Sequence, residues 1–285
     1  MNNALNPAQV IVGSEITEAW DRLEPIIRSF LVKSVSIVSL AAAATQLHAQ
    51  SSGAPSAESA APVAAHANIL SRHRGVSIAI IGVATTLAMR PLDEQITDAV
   101  RAPSPQRSVT LRHTADVFNV IGGPGFILAS ASLLGGGYVS HNATITQLGV
   151  RTSEAMIVSS LATRLLKGAF GRQRPFVNEE TPNVFAAGRG FTSKGRTSFP
   201  SGHASSSFAF ASALTFALHA RNPKTARYVG PLLYGAATLV GVSRVYGAHH
   251  WASDIAAGAT VGTLSGWLVT RNDVDIGAGS VRWRF

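Results

Sequence analysis

The chain has 285 residues, of which 46% are apolar and only 14% are charged, whereas a soluble domain has roughly 25% charged residues. It contains no cysteine, which excludes thiolate metal sites, catalytic thiols and disulfides. The net charge of +9 favours phosphorylated substrates or acidic lipid surfaces as partners, and no basic run with interleaved aromatic residues supports nucleic acid.

The first 70 residues are predicted to form an extension of the folded domain. A basic flank, a short apolar run over residues 34–45 and a small residue before a cut are typical of a secretory signal peptide, predicted within residues 1–49. Because this run lies far from the start of the chain, we hypothesise that translation begins near Val32. A first membrane helix is the alternative. Residues 50–70 are rich in Ala, Ser and Pro, which predicts a linker.

Beyond the linker, apolar segments alternate with polar loops, and β-branched runs with strict alternation are nearly absent. This pattern predicts an all-α domain over residues 71–272, a bundle of about six helices, followed by a tail over residues 273–285. Helices are expected at about 75–90, 115–139, 143–170, 203–220, 226–245 and 251–271. Residues 117–150 contain no Asp, Glu, Lys or Arg and are long enough to span a bilayer, so we expect membrane insertion. Other apolar segments are short, and a soluble periplasmic protein is the alternative.

Two polar clusters interrupt the helices in the middle of the chain. Lys167 ends a predicted helix and Arg174 precedes a proline, so that cations gather at one helix end, where they can bind an anion or complement the helix dipole. Further along, Ser201 can cap the next helix, Gly202 lets a ligand approach free backbone N–H groups, and His203 can exchange a proton. An ordinary capped helix with a surface histidine is the alternative for this second cluster.

A third cluster places a histidine and a carboxylate four residues apart. On a helix, His250 and Asp254 share one face, so the carboxylate can orient the imidazole and leave its other nitrogen free as a nucleophile. Arg244 supplies a guanidinium fork that suits phosphate oxygens. A structural His–Asp pair on a polar helix face is the alternative.

Together the clusters have the form K-x6-RP, PSGH and SR-x5-H-x3-D, in this order. This arrangement resembles the type 2 phosphatidic acid phosphatase family, whose superfamily includes bacterial class A acid phosphatases and vanadium haloperoxidases. The resemblance covers about residues 75–271. It implies that His250 attacks phosphorus, that Asp254 orients it, and that His203 protonates the leaving oxygen and later activates water. The implied phosphate-binding residues are Lys167, Arg174, Ser201, Gly202 and Arg244. His249 matches no family position and is expected beside the site or in a loop.

The function expected from this resemblance is hydrolysis of a lipid phosphate, without a metal or another cofactor. The substrate would be a phosphatidate, a phosphatidylglycerol phosphate or a polyprenyl diphosphate, at an inner membrane with the active site facing the periplasm. One alternative is a soluble periplasmic acid phosphatase for small monoesters, and another is a haloperoxidase with vanadate bonded to His250.

The segment between the first two clusters contains three basic residues, Arg189, Lys194 and Arg196. They either hold a second anionic group of the substrate or belong to a solvated loop.

Overall fold

The structure, a computed structural model, describes the backbone of residues 63–271, 275–277 and 280–282, and the side chains of residues 74–271. The fold is helical, as the sequence predicts. The helices are α1 (Val63–Met89), α2 (Asp93–Arg101), α3 (Pro103–Arg107), α4 (Val109–Val120), α5 (Phe126–Val139), α6 (Ala143–Phe170), α7 (Gly202–Arg221), α8 (Pro223–Tyr246) and α9 (Ala252–Arg271), followed by two short strands, β1 (Asp275–Gly277) and β2 (Ser280–Arg282).

The ends of the chain depart from the expected outline. The predicted signal peptide lies outside the described residues, whereas α1 begins inside the predicted linker. In the predicted tail, β1 and β2 pair antiparallel. The short helices α2 and α3 were not predicted from the sequence, because neither has the length that makes an apolar period visible.

Helices α4 and α5 form one continuous stretch that contains a single wide turn. The predicted helix begins at residue 115, but the structure begins it at Val109, after Ser108 accepts a hydrogen bond from the Leu111 N–H at 3.3 Å. Residues Ile121–Gly125 form a π-helical turn that contains Pro124. Proline has no N–H to donate, so a wider turn accommodates it without breaking the helix.

The centre of the bundle is the close packing of α7 against α9. Gly258, Gly262 and Gly266 recur every fourth residue and face α7, where a Cβ at Gly262 would lie only 2.2 Å from the Ser205 carbonyl oxygen. Such small residues let two helix backbones approach closely. The starts of the two helices consequently lie side by side, and the Ser201 N–H donates to the Asp254 carbonyl oxygen at 2.9 Å.

In the part of the chain that the structure describes, two helical stretches are long and apolar enough to cross a membrane, Arg74–Arg101 and Val109–Val139. Only 17% of the most apolar part of each is buried inside the protein, so neither is a core helix. Their outward faces carry apolar side chains such as Val76, Ile80 and Val83, each more than half exposed. We call them the first and the second apolar span.

Candidate active site

The residues of the three sequence clusters lie at one end of the bundle, because each cluster stands at a helix terminus. Lys167 is in the last turn of α6 and Arg244 in the last turn of α8, whereas Gly202 begins α7. A Cβ at Gly202 would lie 3.8 Å from the Lys167 Cε, which shows how closely the first two clusters approach. The bundle therefore gathers residues that are far apart in the chain.

Gly171 ends α6 and directs the chain back toward the site. Its φ of 57° is left-handed, its N–H donates to the Lys167 carbonyl oxygen at 3.0 Å, and a Cβ would fall 1.8 Å from the Ala186 carbonyl oxygen. Glycine alone tolerates this position. Beyond the turn, the Arg174 Nε donates to the Thr197 Oγ1 at 3.2 Å, while the Lys167 Nζ donates to the Thr197 carbonyl oxygen at 2.6 Å.

The three cations of the site repel one another. Burial, together with Arg174 and Arg244, lowers the pKa of the Lys167 amine to about 7. Burial and Arg174 lower the pKa of the Arg244 guanidinium to about 10, and burial lowers the pKa of Arg174 as well. An oxyanion among these side chains would relieve the repulsion and restore their charged forms, so the arrangement is suited to bind phosphate.

The second apolar span forms one wall of the site. Asn119 of α4 accepts a hydrogen bond from the Arg244 Nη1 through its Oδ1. A Cβ at Gly123, in the π turn, would lie 3.5 Å from the His203 Nε2. Asn119 was not predicted as a site residue, because in the sequence it is only a single amide in an apolar stretch. Burial and the cations, Arg244 above all, lower the pKa of His203 to about 4.

His250 and Asp254 come together through a turn, so the expectation that they share one helix face is wrong. Helix α9 begins at Ala252, after His250, and the Asp254 Oδ2 accepts the Trp251 N–H at 2.9 Å as a capping group. The His250 Nδ1 lies 3.6 Å from that oxygen, slightly longer than a hydrogen bond, and has no hydrogen-bond partner among the described residues. Since Nδ1 faces the carboxylate, Nε2 is the nitrogen available for chemistry.

The pKa values of His250 and Asp254 are both lowered, but for different reasons. Burial lowers the pKa of His250 to about 3, and Lys167 and Arg174 add to that effect. Burial raises the pKa of the Asp254 carboxyl, but the Arg172 guanidinium, His250 and the Ser198 hydroxyl together outweigh this effect and the pKa falls to about 2. Near neutral pH the site therefore holds an unprotonated imidazole next to a carboxylate.

Arg172 corrects the picture of a single cluster of phosphate-binding cations at the end of α6. Its side chain is fully buried and donates to Asp254 and Asp93 instead of facing the site. Ser198 belongs to the same set, since its Oγ donates to the Asp254 Oδ2 at 2.5 Å. The motif K-x6-RP distinguishes Arg174 from Arg172, but the role of Arg172 could not be predicted, because its partners lie far away in the chain.

The loop between the first two clusters covers the cations with its backbone. The Gly195 carbonyl oxygen accepts the Arg174 N–H at 2.9 Å, while the side chains of Arg189 and Lys194 are exposed. His249 is half-buried, stands edge-on to Phe176 with ring centroids 6.3 Å apart, and contributes to the lowered pKa of His203. Within residues 74–271, His, Asp and Glu side chains form no group of three that could hold a metal ion.

The arrangement combines a buried imidazole beside a carboxylate, a second histidine and three cations, which are the chemical groups that nucleophilic attack on an oxyanion ester needs. Residues 149–276 match the family model described as the PAP2 superfamily. The matched segment contains every site residue predicted from the sequence. Asp93 and Asn119 precede it.

Two curated relatives and one solved structure are similar to the chain. A lipid A 1-phosphatase of Porphyromonas gingivalis is 28% identical over 142 residues, which are 50% of this chain and 27% of the relative. A PA-phosphatase related-family protein of Dictyostelium discoideum is 33% identical over 138 residues, 46% of this chain and 49% of the relative. The chain thus spans less than half of either relative. A transmembrane PAP2 type phosphatidylglycerolphosphate phosphatase from Bacillus subtilis shares the fold, with a TM-score of 0.55, 24% identity, and coverage of 72% of this chain and 98% of that one.

Proposed function

We propose that this protein is a phosphatase that removes the phosphate group of a lipid through a phosphohistidine on His250. The observation that carries the proposal is a set of three cations beside His203 and His250: Lys167 in the last turn of α6, Arg174 in the loop after it, and Arg244 in the last turn of α8. Phosphoryl transfer depends on positioning and on stabilising negative charge, and fixed cations in a water-poor site supply both. The Ser201 hydroxyl and the Gly202 N–H, at the start of α7, add further donors to the phosphate.

In the first step, the lone pair of the His250 Nε2 forms a bond to phosphorus, and the bond from phosphorus to the leaving oxygen breaks. The bound phosphate offsets the cations that lower the pKa of His203 in the free site, so His203 is protonated in the complex and donates its proton to that oxygen. The imidazole of His250 gains positive charge as the bond forms, and the Asp254 carboxylate stabilises that charge. Catalytic hydrogen bonds are often long in the free enzyme and tighten in the complex, which is consistent with the 3.6 Å between Nδ1 and Oδ2.

In the second step, water attacks phosphorus and the phosphorus–nitrogen bond breaks. His203, now neutral, takes a proton from the water, so inorganic phosphate leaves and His203 is protonated for the next cycle. Apart from the ester and one water molecule, no group outside the chain is needed to balance the two steps. The charge on the transferred phosphoryl group is met by side chains, so we propose that hydrolysis requires no metal.

Two features beside the site support a lipid substrate. An apolar cavity of about 730 Å³ lies between α1, α6 and α9 and reaches Phe199 and Pro200, directly before Ser201, so it can accept a hydrocarbon chain. On α6, Ile157, Leu161 and Leu165 form an exposed apolar stripe that adds to those of the two apolar spans. Faces of this kind suit contact with lipid. The similar lipid A 1-phosphatase and phosphatidylglycerolphosphate phosphatase are also named for phosphorylated lipids.

Activity on defined substrates tests the proposal. The detergent-solubilised full chain is assayed in mixed micelles with phosphatidate, phosphatidylglycerol phosphate and a polyprenyl diphosphate, and with nitrophenyl phosphate as a soluble monoester. We expect a lipid phosphate to have the highest kcat/KM, and we expect His250→Ala to abolish its hydrolysis. The matched control is His219→Ala, which changes an exposed histidine near the far end of α7 and should leave the hydrolysis unchanged. Preference for the soluble monoester would favour an acid phosphatase, and bromide oxidation with vanadate and peroxide would favour a haloperoxidase.

We further propose that the protein spans a bacterial inner membrane and that the active site faces the periplasm. The chain has no cysteine, so single cysteines can report the orientation. Thr192→Cys lies in the exposed loop over the site, and Lys224→Cys lies in the exposed first turn of α8, at the opposite end of the bundle. In spheroplasts, a membrane-impermeant maleimide should label Thr192→Cys and spare Lys224→Cys until the cells are lysed. The reverse pattern would place the active site in the cytoplasm, and release of the protein without detergent would refute membrane insertion.

A further inference from the structure

A fully buried set of charges lies behind the catalytic histidine. Arg172 stands between two carboxylates: its Nη2 lies 2.6 Å from the Asp93 Oδ2 and its Nη1 lies 2.6 Å from the Asp254 Oδ1, and all three side chains have an exposed fraction of zero. We call these residues the buried charge triad. Asp93 begins α2, before the segment that matches the family model, so the N-terminal part of the bundle supplies one member of the triad.

Arg172 satisfies its hydrogen-bonding capacity within this set. Its Nε and Nη2 donate to the Pro182 carbonyl oxygen at 2.9 and 2.7 Å, and its Nη1 also donates to the Ser253 Oγ at 2.7 Å. Ser253 completes the connection, because its N–H and Oγ donate to Asp93 at 2.8 and 2.6 Å. The geometry leaves little freedom for any member, as expected for ions that are stable only when fully paired.

Burial raises the pKa of the Asp93 carboxyl, and Arg172 and Ser253 limit that rise. With both carboxylates ionised, the one guanidinium leaves the triad with one negative charge. That charge is important for His250 because the other charged side chains that act on it are the cations Lys167, from α6, and Arg174, from the loop after α6. Arg244 from α8 acts on the neighbouring His203. His203, the other titratable group on this side, lies on α7. If Asp254 were the only partner of Arg172, the pair would be neutral and His250 would face cations without a compensating anion.

We propose that Asp93 is a positioning residue which, by sharing Arg172, keeps the negative charge of Asp254 available to the His250 imidazole. The inference rests on the proposed function, because a nucleophilic histidine gains positive charge when it bonds to phosphorus and needs an anion at that moment. Asp93 touches neither His250 nor the substrate. It acts through Arg172 and Asp254, and it precedes the segment that matches the family model.

Binding of two oxyanions separates this role from a packing role. Vanadate expands to five ligands and can bond to the histidine nitrogen, whereas sulfate remains tetrahedral and reports only the cations. Asp93→Asn keeps the shape of the side chain and removes its charge. We expect the affinity for vanadate and kcat/KM to fall about 10–100-fold, the usual loss when a group that supports a catalytic residue is removed. The affinity for sulfate, measured by calorimetry, should change less than about threefold.

A double variant tests the charge directly. In Asp93→Asn/Arg172→Gln the buried charge triad regains a single negative charge, which lies on Asp254. We therefore expect this double variant to bind vanadate more tightly than Asp93→Asn does, even though it has lost more hydrogen bonds. Thr97→Val is the matched control, because Thr97 is buried on the same helix one turn away and its hydroxyl has no hydrogen-bond partner among the described residues. This control should bind vanadate and sulfate as the unmodified protein does.

The results that would overturn the proposal are distinct from failure of the proposed function. If the unmodified protein neither hydrolyses phosphate esters nor binds vanadate, the proposed function fails first. If it does both, equal losses of vanadate and sulfate affinity in Asp93→Asn, or a double variant weaker than the single one, would show that Asp93 only supports packing. Loss of folding in both Asp93 variants, read from thermal unfolding, would lead to the same conclusion.

Discussion

The charge state of Lys167 makes oxyanion binding depend on pH in a way that the structure lets us calculate. Burial and the neighbouring Arg174 lower the pKa of this amine to about 7, but a bound dianion stabilises the charged form and keeps it protonated. Affinity should therefore be full below pH 7 and fall as pH rises above it. An amine of this pKa is half charged at pH 7 and about 1% charged at pH 9, so the affinity drops about 50-fold between the two, or about 2.3 kcal/mol.

Sulfate is the probe for this measurement, because it stays a dianion over the whole interval. Its dissociation constant is measured by calorimetry at half-unit steps from pH 6 to pH 9, for the unmodified protein and for Lys167→Arg. We expect the variant to give a nearly flat profile, since a guanidinium stays charged throughout. A profile with the same slope in Lys167→Arg, or a flat profile in the unmodified protein, would refute the assignment of a neutral amine above pH 7.

Three further predictions concern the catalytic acid, the metal and the helix packing. For a substrate with a glycerol leaving group, His203→Ala should lower kcat about 10²–10⁴-fold. For nitrophenyl phosphate, whose nitrophenolate leaves unaided, the variant should slow phosphoenzyme formation much less. Equal losses for the two substrates in single-turnover kinetics would exclude His203 as the acid. Hydrolysis should survive EDTA, and inactivation that Mg²⁺ reverses would contradict the role of the three cations. Gly262→Ala should cost about 1–3 kcal/mol of stability in denaturant unfolding, because its Cβ would overlap the Ser205 carbonyl oxygen. Gly235→Ala, with nothing within 4 Å, is its control and should be neutral or stabilising.

The sequence predicts the main helices because their apolar segments are long and end at proline, glycine or polar clusters. It does not predict α2 and α3, each too short to show a period, and it does not reveal the π turn of Ile121–Gly125. A proline in an apolar run indicates only that a helix is interrupted there. Whether the helix ends or widens depends on the packing against its neighbours.

The candidate site was predicted at the level of residue types, and the structure adds their partners. Lys167, Ser201 and Gly202 lie at helix ends, as local signals such as a capping serine predict. The roles of Arg172 and Asp93 could not be predicted, because the two residues are 79 positions apart and each resembles an ordinary surface charge. Only the folded chain buries both and makes them partners.

The central claim, a phosphohistidine on His250, is tested most directly by trapping the intermediate. The purified protein is mixed with ³²P-labelled nitrophenyl phosphate, quenched within milliseconds in alkali, and digested for peptide mapping. His203→Ala serves as the variant that should accumulate the intermediate, because it lacks the base that activates water. We predict a label that is stable in base and labile in acid, on the peptide that contains His250 and absent in His250→Ala. A label on a serine, or a label that persists in His250→Ala, would contradict the account.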